Sequence, residues 1–309
     1  MGKLILYSFF LFLAGIFLYS LFFLNWFFGL FCSCGFPFGP LIDASNVLFL
    51  ISFLGLLAEF SLMKLDEKPR AVRQNPVANP RISVGMTAYN DELSIGGAVK
   101  DFKKMKEVVN IVVIDNNCVD RTAEVARKAG AKVVKEPVQG YGAACVRALK
   151  EARKAGNLVC LVEGDQTYFA SDLRKLLAYI ENVDMVVGTR TTMEIVASDS
   201  HVTPFIQIGN IFVAKLIQLR YWGKLRLTDV GCTYRLIRPE ALDKIIGTFD
   251  VTGNHFSPHM IMAALKNNLK VIECPIAFRK RVGQSKGVGA DFAKGTINGL
   301  QMILDILKS

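Results

Sequence analysis

Apolar and polar positions divide this chain into two unlike parts. From Leu4 to Phe31 there is no charged residue. A helix rises ~1.5 Å per residue and about 20 residues cross the hydrocarbon core of a bilayer, so this run spans it with tilt to spare. Gly35, Pro37, Gly39 and Pro40 then break the pattern, and a second run from about Ala44 to Met63 is mostly apolar, interrupted by polar residues such as Ser45, Asn46, Ser52 and Glu59. The pattern predicts a transmembrane helical hairpin over residues 1–65. Glu59 lies within two turns of a basic end, where snorkelling is expected. Lys64, Lys68, Arg70 and Arg73 follow the second run. The positive-inside rule puts that side, and all that follows it, on the cytoplasmic face of a cell membrane, with Lys3 on the same side. A cleaved signal peptide would need a shorter apolar core, and no second run would follow. Residues 66–80 (DEKPRAVRQNPVANP) hold three prolines and mixed charge, and read as a linker.

From Arg81 the period changes. Short apolar runs at Ile82–Thr87, Val108–Ile114, Ala131–Lys135, Leu158–Val162 and Met185–Gly188 alternate with helical patterns. The helices are expected after Glu92 to about Met105, over Thr122–Ala129, from Gly140 to about Lys154 and over Leu173–Ile180. Strands apolar throughout and separated by helices make a mostly parallel sheet covered on both faces, an α/β domain over residues 81–287. Such sheets bind ligands beyond the carboxyl ends of their strands. The polar clusters Tyr89-Asn90, Asp115-Asn116-Asn117 and Glu163-Gly164-Asp165 all fall there. No Gly-x-Gly-x-x-Gly or Walker loop follows a strand, so nicotinamide, flavin and P-loop chemistry have no support. The tail, residues 288–309, repeats apolar residues from Phe292 to Leu307 as an amphipathic helix that packs on the domain or lies in a membrane interface.

Charge narrows the partners. The formal net charge is +10, which favours phosphates or an acidic surface, and no nucleic-acid module is recognisable. Seven cysteines form no framework, which argues for reduced thiols. Cys32 and Cys34 read as part of a loop at the membrane edge.

Asp115 ends a hydrophobic strand, where a carboxylate accepts a hydrogen bond from a pyrimidine imide or purine amine, whereas Asp120 is set to cap the next helix. Glu163 and Asp165 can jointly face a hard divalent cation that completes its shell with water and substrate phosphates, and Thr167 can add an oxygen. Gly140-Tyr141-Gly142 opens a helix with small residues, so it either admits a phosphate or packs tightly on the sheet. Asp229 and Arg235 combine a base with a phosphate-binding cation, or form a plain ion pair. His255 and His259 have metal-ligand spacing, but Asn254 and Pro258 disfavour a regular helix there. Arg279, Lys280, Arg281 and Lys286 form a basic segment that is either solvated or closes on a phosphorylated substrate.

Taken in order, these motifs resemble the family-2 glycosyltransferases of GT-A fold, in the branch of the dolichyl-phosphate mannose and glucose synthases. The match runs through Ala88-Tyr89-Asn90-Asp91-Glu92, Asp115 to Thr122, Gly140 to Ala144, Val187-Gly188-Thr189-Arg190, Thr228 to Arg235, and Pro275-Ile276 with Gly283-Gln284-Ser285-Lys286. The family's usual Asp-x-Asp is Glu163-Gly164-Asp165 here, Cys118 replaces a serine, and no carboxylate stands in Phe256-Ser257-Pro258-His259. The resemblance implies that Ala88, Tyr89, Asn90, Glu92, Asp115, Asn117, Gly140, Gly142, Glu163, Gly164 and Asp165 surround the nucleotide sugar. It implies Mg2+ or Mn2+ on Glu163 and Asp165, phosphate or acceptor contacts from Arg190, Arg235, Arg279 and Lys286, and catalytic roles for Asp229 and Asp165. The expected reaction is inverting hexose transfer from UDP-glucose or GDP-mannose to a membrane acceptor, polyprenyl or dolichyl phosphate. A hydroxyl acceptor on a polysaccharide or glycolipid is the alternative, and a membrane-anchored nucleotide-binding scaffold is the non-enzymatic one.

Overall fold

The computed structural model describes residues 2–29, 39–62, 72–200, 202–283 and 292–309. Its contacts gather into two compact units: residues 1–70 together with Leu219–Trp222, and the remainder.

The first unit is an α-hairpin, α1 (Lys3–Gly29) and α2 (Gly39–Leu62), both long and apolar enough to cross a membrane. α2 begins at Gly39 rather than near Ala44, because Pro40 is tolerated in a first turn whose N–H groups are unpaired anyway. Small and polar residues face inward between the helices. Ser45 Oγ donates to Gly15 O and Ser52 Oγ to Ser8 O, both at 2.8 Å. A Cβ on Gly15 would come within 2.7 Å of the Phe49 ring. In a bilayer, hydrocarbon would give two such helices no hydrophobic reason to associate, and close backbone approach and interhelical hydrogen bonds are what would hold the pair. Glu59 corrects the snorkelling expectation: it is buried and accepts the Gly2 N–H at 2.6 Å, satisfying the start of α1.

The second unit is the α/β domain. Its strands are β1 (Ile82–Ala88), β2 (Val108–Asp115), β3 (Lys132–Lys135), β4 (Leu158–Glu163), β5 (Met185–Thr189), β6 (Arg235–Ile237) and β7 (Val271–Pro275). Among the described residues they form one sheet in the order β3-β2-β1-β4-β6-β5-β7. Only β6 runs antiparallel to its neighbours β4 and β5. The helices are α3 (Ile95–Lys103), α4 (Thr122–Ala129), α5 (Tyr141–Ala152), α6 (Leu173–Ile180), α7 (Pro204–Arg220), α8 (Pro239–Ile245), α9 (Phe256–Lys266) and α10 (Phe292–Lys308). β1 is buried along its whole length, as a central parallel strand covered on both faces must be.

β1, β2, β4 and β5 each run one residue past the apolar stretch, so Asp115 and Glu163 are the last residues of their strands rather than the first of a loop. Ala88 pairs with Asp115 and Thr87 with Glu163. Both acids therefore stand on one rim, separated by β1, at roughly twice the ~4.8 Å strand spacing. Of residues 72–80, expected as linker, several are fastened to the domain. Arg73 pairs with Asp184 at 2.5 Å, so it is not a membrane-side cation, and Asn75 N donates to Glu181 O. Lys64, Lys68, Arg70, Cys32 and Cys34 lie outside the described residues.

α5 lies directly against β1. A Cβ on Gly85 would sit 2.6 Å from the backbone oxygen of Ala148, which cannot swing away. Gly85→Ala should therefore destabilise the domain by about 1–3 kcal/mol, as overpacking does. Thermal unfolding of the purified variant would read this as a lowered midpoint, and an unchanged midpoint would contradict the packing.

Candidate active site

A cavity of about 920 Å3 opens on the carboxyl rim of the sheet. Of the residues expected from the sequence, Ala88, Tyr89, Gly140, Glu163, Asp165 and Arg190 line it. The other described ones do not, and each has a visible employment elsewhere.

Asn90 Oδ1 accepts from Val119 N at 2.8 Å, and its φ of +50° is a left-handed turn conformation that asparagine tolerates. Glu92 accepts from Arg121 N at 3.1 Å, and Asp115 from Cys118 N at 2.8 Å. Asn117 donates to Pro137 O at 3.0 Å. Asn90 and Glu92 knit the turn after β1 to the turn after β2, Asp115 closes the latter, and Asn117 ties it to the loop after β3. Asp120 takes the expected place at the head of α4, accepting from Thr122 N at 3.0 Å. Gly142 serves close packing: its N–H donates to Thr252 O at 2.8 Å, so this end of α5 is already capped by protein. Gly164 N donates to Thr87 O at 2.9 Å, and a Cβ there would strike Ile95.

Two of the expected phosphate ligands are turned away from the cavity. Arg235 is 1% exposed and donates to Cys232 O at 3.0 and 3.1 Å. Arg279 donates to the backbone oxygens of Gln166 and Tyr168 and lies over the Phe169 ring at 4.3 Å. Both have a charge at a well-placed position in the chain; only packing reveals that the charges are spent on carbonyls. Lys286 lies outside the described residues.

Asp229 is 1% exposed and does not line the cavity. Both its oxygens accept from Arg190, at 2.7 and 2.9 Å, in a bidentate pair. Burial alone would raise its pKa, but the Arg190 charge and hydrogen bonds outweigh that and hold it below the usual carboxylate range. Glu273 fixes the turn from below, accepting from Asp229 N at 2.7 Å and Thr228 N at 2.9 Å. Asp229 thus positions Arg190, whose guanidinium also lies 5.3 Å from the Phe278 ring centroid.

The acidic pair itself is closely furnished. Glu163 Oε1 accepts from the hydroxyls of Tyr141 and Thr233. Tyr141 also touches Ser257 Oγ at 3.3 Å. Burial, then the neighbouring Asp165 charge, push the Glu163 carboxyl up to about 7. Asp165 Oδ1 accepts from Thr167 N and Oγ1, at 3.0 and 2.6 Å. Its Oδ2 faces Arg281 Nη1 at 3.4 Å, and the same guanidinium donates to Asp91 Oδ1 at 2.8 Å. Asp91 and Arg281 line the cavity, and both were under-read in the sequence: each sat in a flagged motif beside residues that looked better placed. Asn116 was missed as well. Buried at 3% exposure, it ties the β2 turn to residues 136–140, accepting from Gly140 N at 3.0 Å.

His255 and His259 do not converge on a metal. His255 faces Asp305 at 3.6 Å, His259 faces Asp250 at 3.4 Å, and α9 is regular with Pro258 in its first turn. Among the described residues no cluster of three or more His, Cys, Asp or Glu side chains is poised around an ion. A cation at Glu163 and Asp165 would have two carboxylates, with Thr167 beside them, and would need the rest of its shell from ligand and water. That is how hard divalent ions such as Mg2+ bind beside phosphates, and the desolvated like-charge pair is short of positive charge, so the donor set fits.

A mostly parallel α/β sheet carrying this acidic pair on its carboxyl rim defines a GT-A glycosyltransferase. The sequence profile of Glycosyl transferase family 2 matches residues 83–246, and the chain belongs to that family. Among curated relatives, the chain is 30% identical over 207 residues to a dolichyl-phosphate hexose transferase of Haloferax volcanii, a match covering 66% of this chain and 86% of that one. It is 29% identical over 214 residues to the low-salt glycan biosynthesis hexosyltransferase Agl6 of the same organism, covering 67% of this chain but only 49% of that relative. Among solved structures, glucosyl-3-phosphoglycerate synthase of Mycobacterium tuberculosis, in complex with Mn2+, UDP-glucose and phosphoglyceric acid, superposes with a TM-score of 0.56. It is 14% identical and covers 74% of this chain and 80% of that one, a likeness of fold.

A carboxyl group whose pKa is raised on folding destabilises the native state increasingly as pH rises from the unfolded value through the folded one. Glu163→Gln removes that penalty. Without divalent metal, its thermal midpoint should gain on the parent protein's between pH 5 and pH 8, a window set by the unfolded carboxyl value and the shift to about 7. A gap independent of pH would refute the assignment.

Proposed function

We propose that this glycosyltransferase moves a hexose, with inversion, from a nucleoside diphosphate sugar to a polyprenyl or dolichyl phosphate in the membrane that holds its α-hairpin. The observation that carries the reading is the division of charge on the rim. Glu163 and Asp165 face the cavity, Arg190 and Arg281 face them, and Asp229, the one carboxylate expected to act as a base, is neutralised by Arg190.

A hydroxyl acceptor must lose its proton as it attacks, and a carboxylate held below its usual pKa inside a bidentate ion pair is a poor base. A phosphate monoester, with a second pKa of ~6, arrives largely ionised at neutral pH. It needs orientation and countercharge, and Arg190 supplies both. The polysaccharide alternative asks for a base that this rim does not hold free among the described residues.

On the donor side, Ala88, Tyr89, Asp91, Asn116 and Gly140 would surround the nucleotide. Glu163 and Asp165 would hold Mg2+ or Mn2+, which when bound neutralises charge on the diphosphate. Tyr141 and Thr233 fix the Glu163 carboxylate, so its free oxygen has one direction to point. Arg281, released from Asp165, can follow the developing negative charge on the leaving diphosphate. The fold neighbour crystallised with Mn2+ and UDP-glucose and the relative named for dolichyl phosphate both support the reading. The basic residues Lys64, Lys68 and Arg70 after α2 support a cytoplasmic catalytic face.

The full chain in detergent or nanodiscs, given Mn2+ or Mg2+ and radiolabelled UDP-glucose or GDP-mannose, should label polyprenyl phosphate. Asp165→Ala should abolish nearly all transfer; normal turnover with a chelator present would remove the metal from the mechanism. Asp229→Asn frees Arg190 and breaks a buried pair, an effect of about 3–5 kcal/mol in comparable cases. It should cost stability and raise KM for the phosphate acceptor more than it lowers kcat. A pure kcat loss with stability intact would instead restore Asp229 as the base.

A further inference from the structure

Arg281 stands where two demands meet. The segment that carries it runs beside the loop after β4: Arg279 N donates to Thr167 O at 3.0 Å and Val282 N to Asp165 O at 3.3 Å. That pairing delivers the Arg281 guanidinium to the acidic pair, where it bridges two carboxylates. Its Nη2 donates to Asp91 Oδ1 at 2.8 Å, and its Nη1 lies 3.4 Å from Asp165 Oδ2. The side chains of Arg281, Asp91 and Asp165 are only 15%, 7% and 4% exposed, so little water screens them.

A count of lone pairs shows what this position costs. Each carboxylate oxygen offers about two acceptor sites. Asp165 Oδ1 already accepts from Thr167 N and Oγ1, at 3.0 and 2.6 Å. Glu163 Oε1 accepts from the hydroxyls of Tyr141 and Thr233. The oxygens left for a cation are therefore Glu163 Oε2 and Asp165 Oδ2, and Oδ2 is the one that Arg281 faces. A divalent ion and Arg281 thus make competing claims on one oxygen, and like charges repel strongly where water is scarce. The contact to Asp91 differs. It is the shorter of the two, and Asp91 is itself held, accepting from Tyr89 N at 3.0 Å. An Arg281 that gave up Asp165 would stay tethered to Asp91 on the cavity wall, with Nη1 free to take another anion. A diphosphate is such an anion, and guanidinium groups pair with phosphate oxygens in charge-assisted hydrogen bonds.

We propose that Arg281 couples the metal to the donor: it disfavours a divalent ion alone by holding Asp165, and yields that oxygen when a nucleoside diphosphate gives its guanidinium a replacement. This deepens the reading above and rests on its metal and its donor. An ion without a diphosphate has to displace a guanidinium that gains nothing in return. An ion that arrives with a diphosphate exchanges one charge-assisted pair for another, so each ligand favours the other through Arg281. The acidic pair is thereby reserved for an ion that brings its phosphate.

The test reads binding, not turnover. Mn2+ affinity is measured on the full chain in detergent from the electron paramagnetic resonance signal of the free ion, without and with saturating UDP or GDP. Arg281→Gln should bind Mn2+ alone more tightly than the parent by roughly tenfold, an ordinary size for coupling between sites, and the factor by which the nucleotide tightens Mn2+ should shrink by about as much. Thermal unfolding gives a second readout. The variant leaves Asp91 and Asp165 without their guanidinium, so its midpoint should fall, and Mn2+ alone should raise that midpoint by more than it raises the parent's. Arg281→Met, uncharged and of similar length, takes the place of Arg281→Gln if the latter does not fold. A variant that loses stability but binds Mn2+ alone no more tightly than the parent makes Arg281 a structural residue and overturns the proposal. A variant whose nucleotide coupling equals the parent's overturns it as well, while the metal and donor reading stands. If the parent binds no Mn2+ with or without nucleotide, the metal reading itself falls, and the coupling with it.

Discussion

Two carboxylates two residues apart, Glu163 and Asp165, share one partly desolvated corner at the end of β4, and much of the site can be understood as an answer to that repulsion. Charge removed from water must be paired or neutralised. Hydroxyls of Tyr141 and Thr233 take one oxygen of Glu163, Thr167 takes one of Asp165, and Arg281 meets the other. Arg190 adds positive charge from just beyond the end of β5 while remaining locked to Asp229. In the proposed reading, this leaves an anionic seat that would take a cation beside a cationic one that would take a phosphate.

The fold was largely legible because parallel strands buried on both faces leave uninterrupted apolar runs, and β1 to β5 were bounded within a residue or two. The runs after Gly188 were not. β6 is only three residues long, and β7 and α7 to α9 lie among mixed sequence whose burial is decided by tertiary contact. β6 also reverses direction, which no local pattern announces. For the site, position on the rim was readable for Tyr89, Gly140, Glu163, Asp165 and Arg190, since each follows a strand or opens a helix. The employment of a charge was not. Arg235 and Arg279 look like phosphate ligands on paper, and Asp229 looks like a base, because a sequence does not say which carbonyl or guanidinium a side chain will meet. Arg281 escaped for the opposite reason: its partner Asp91 is 190 residues away.

In the α-hairpin the polar residues that interrupt the apolar runs prove to be its fastening. Ser8, Ser45, Ser52 and Glu59 all point inward, and the glycines opposite them let the backbones close. An apolar run scored only for length treats these positions as blemishes, whereas they are the contacts that join the two helices, and in lipid such contacts would specify one pairing over its alternatives.

The long separation between Asp91 and Arg281 has a consequence in time. The acidic rim is laid down between residues 91 and 165, but its guanidinium partner belongs to the last tenth of the chain. During synthesis the sheet can assemble around β1, β2 and β4 well before that partner leaves the ribosome. Through that interval the half-built rim lacks the guanidinium that later meets Asp91 and Asp165, and dissolved cations supply the missing countercharge. The final residues therefore complete the enzyme in an electrostatic sense as well as a covalent one.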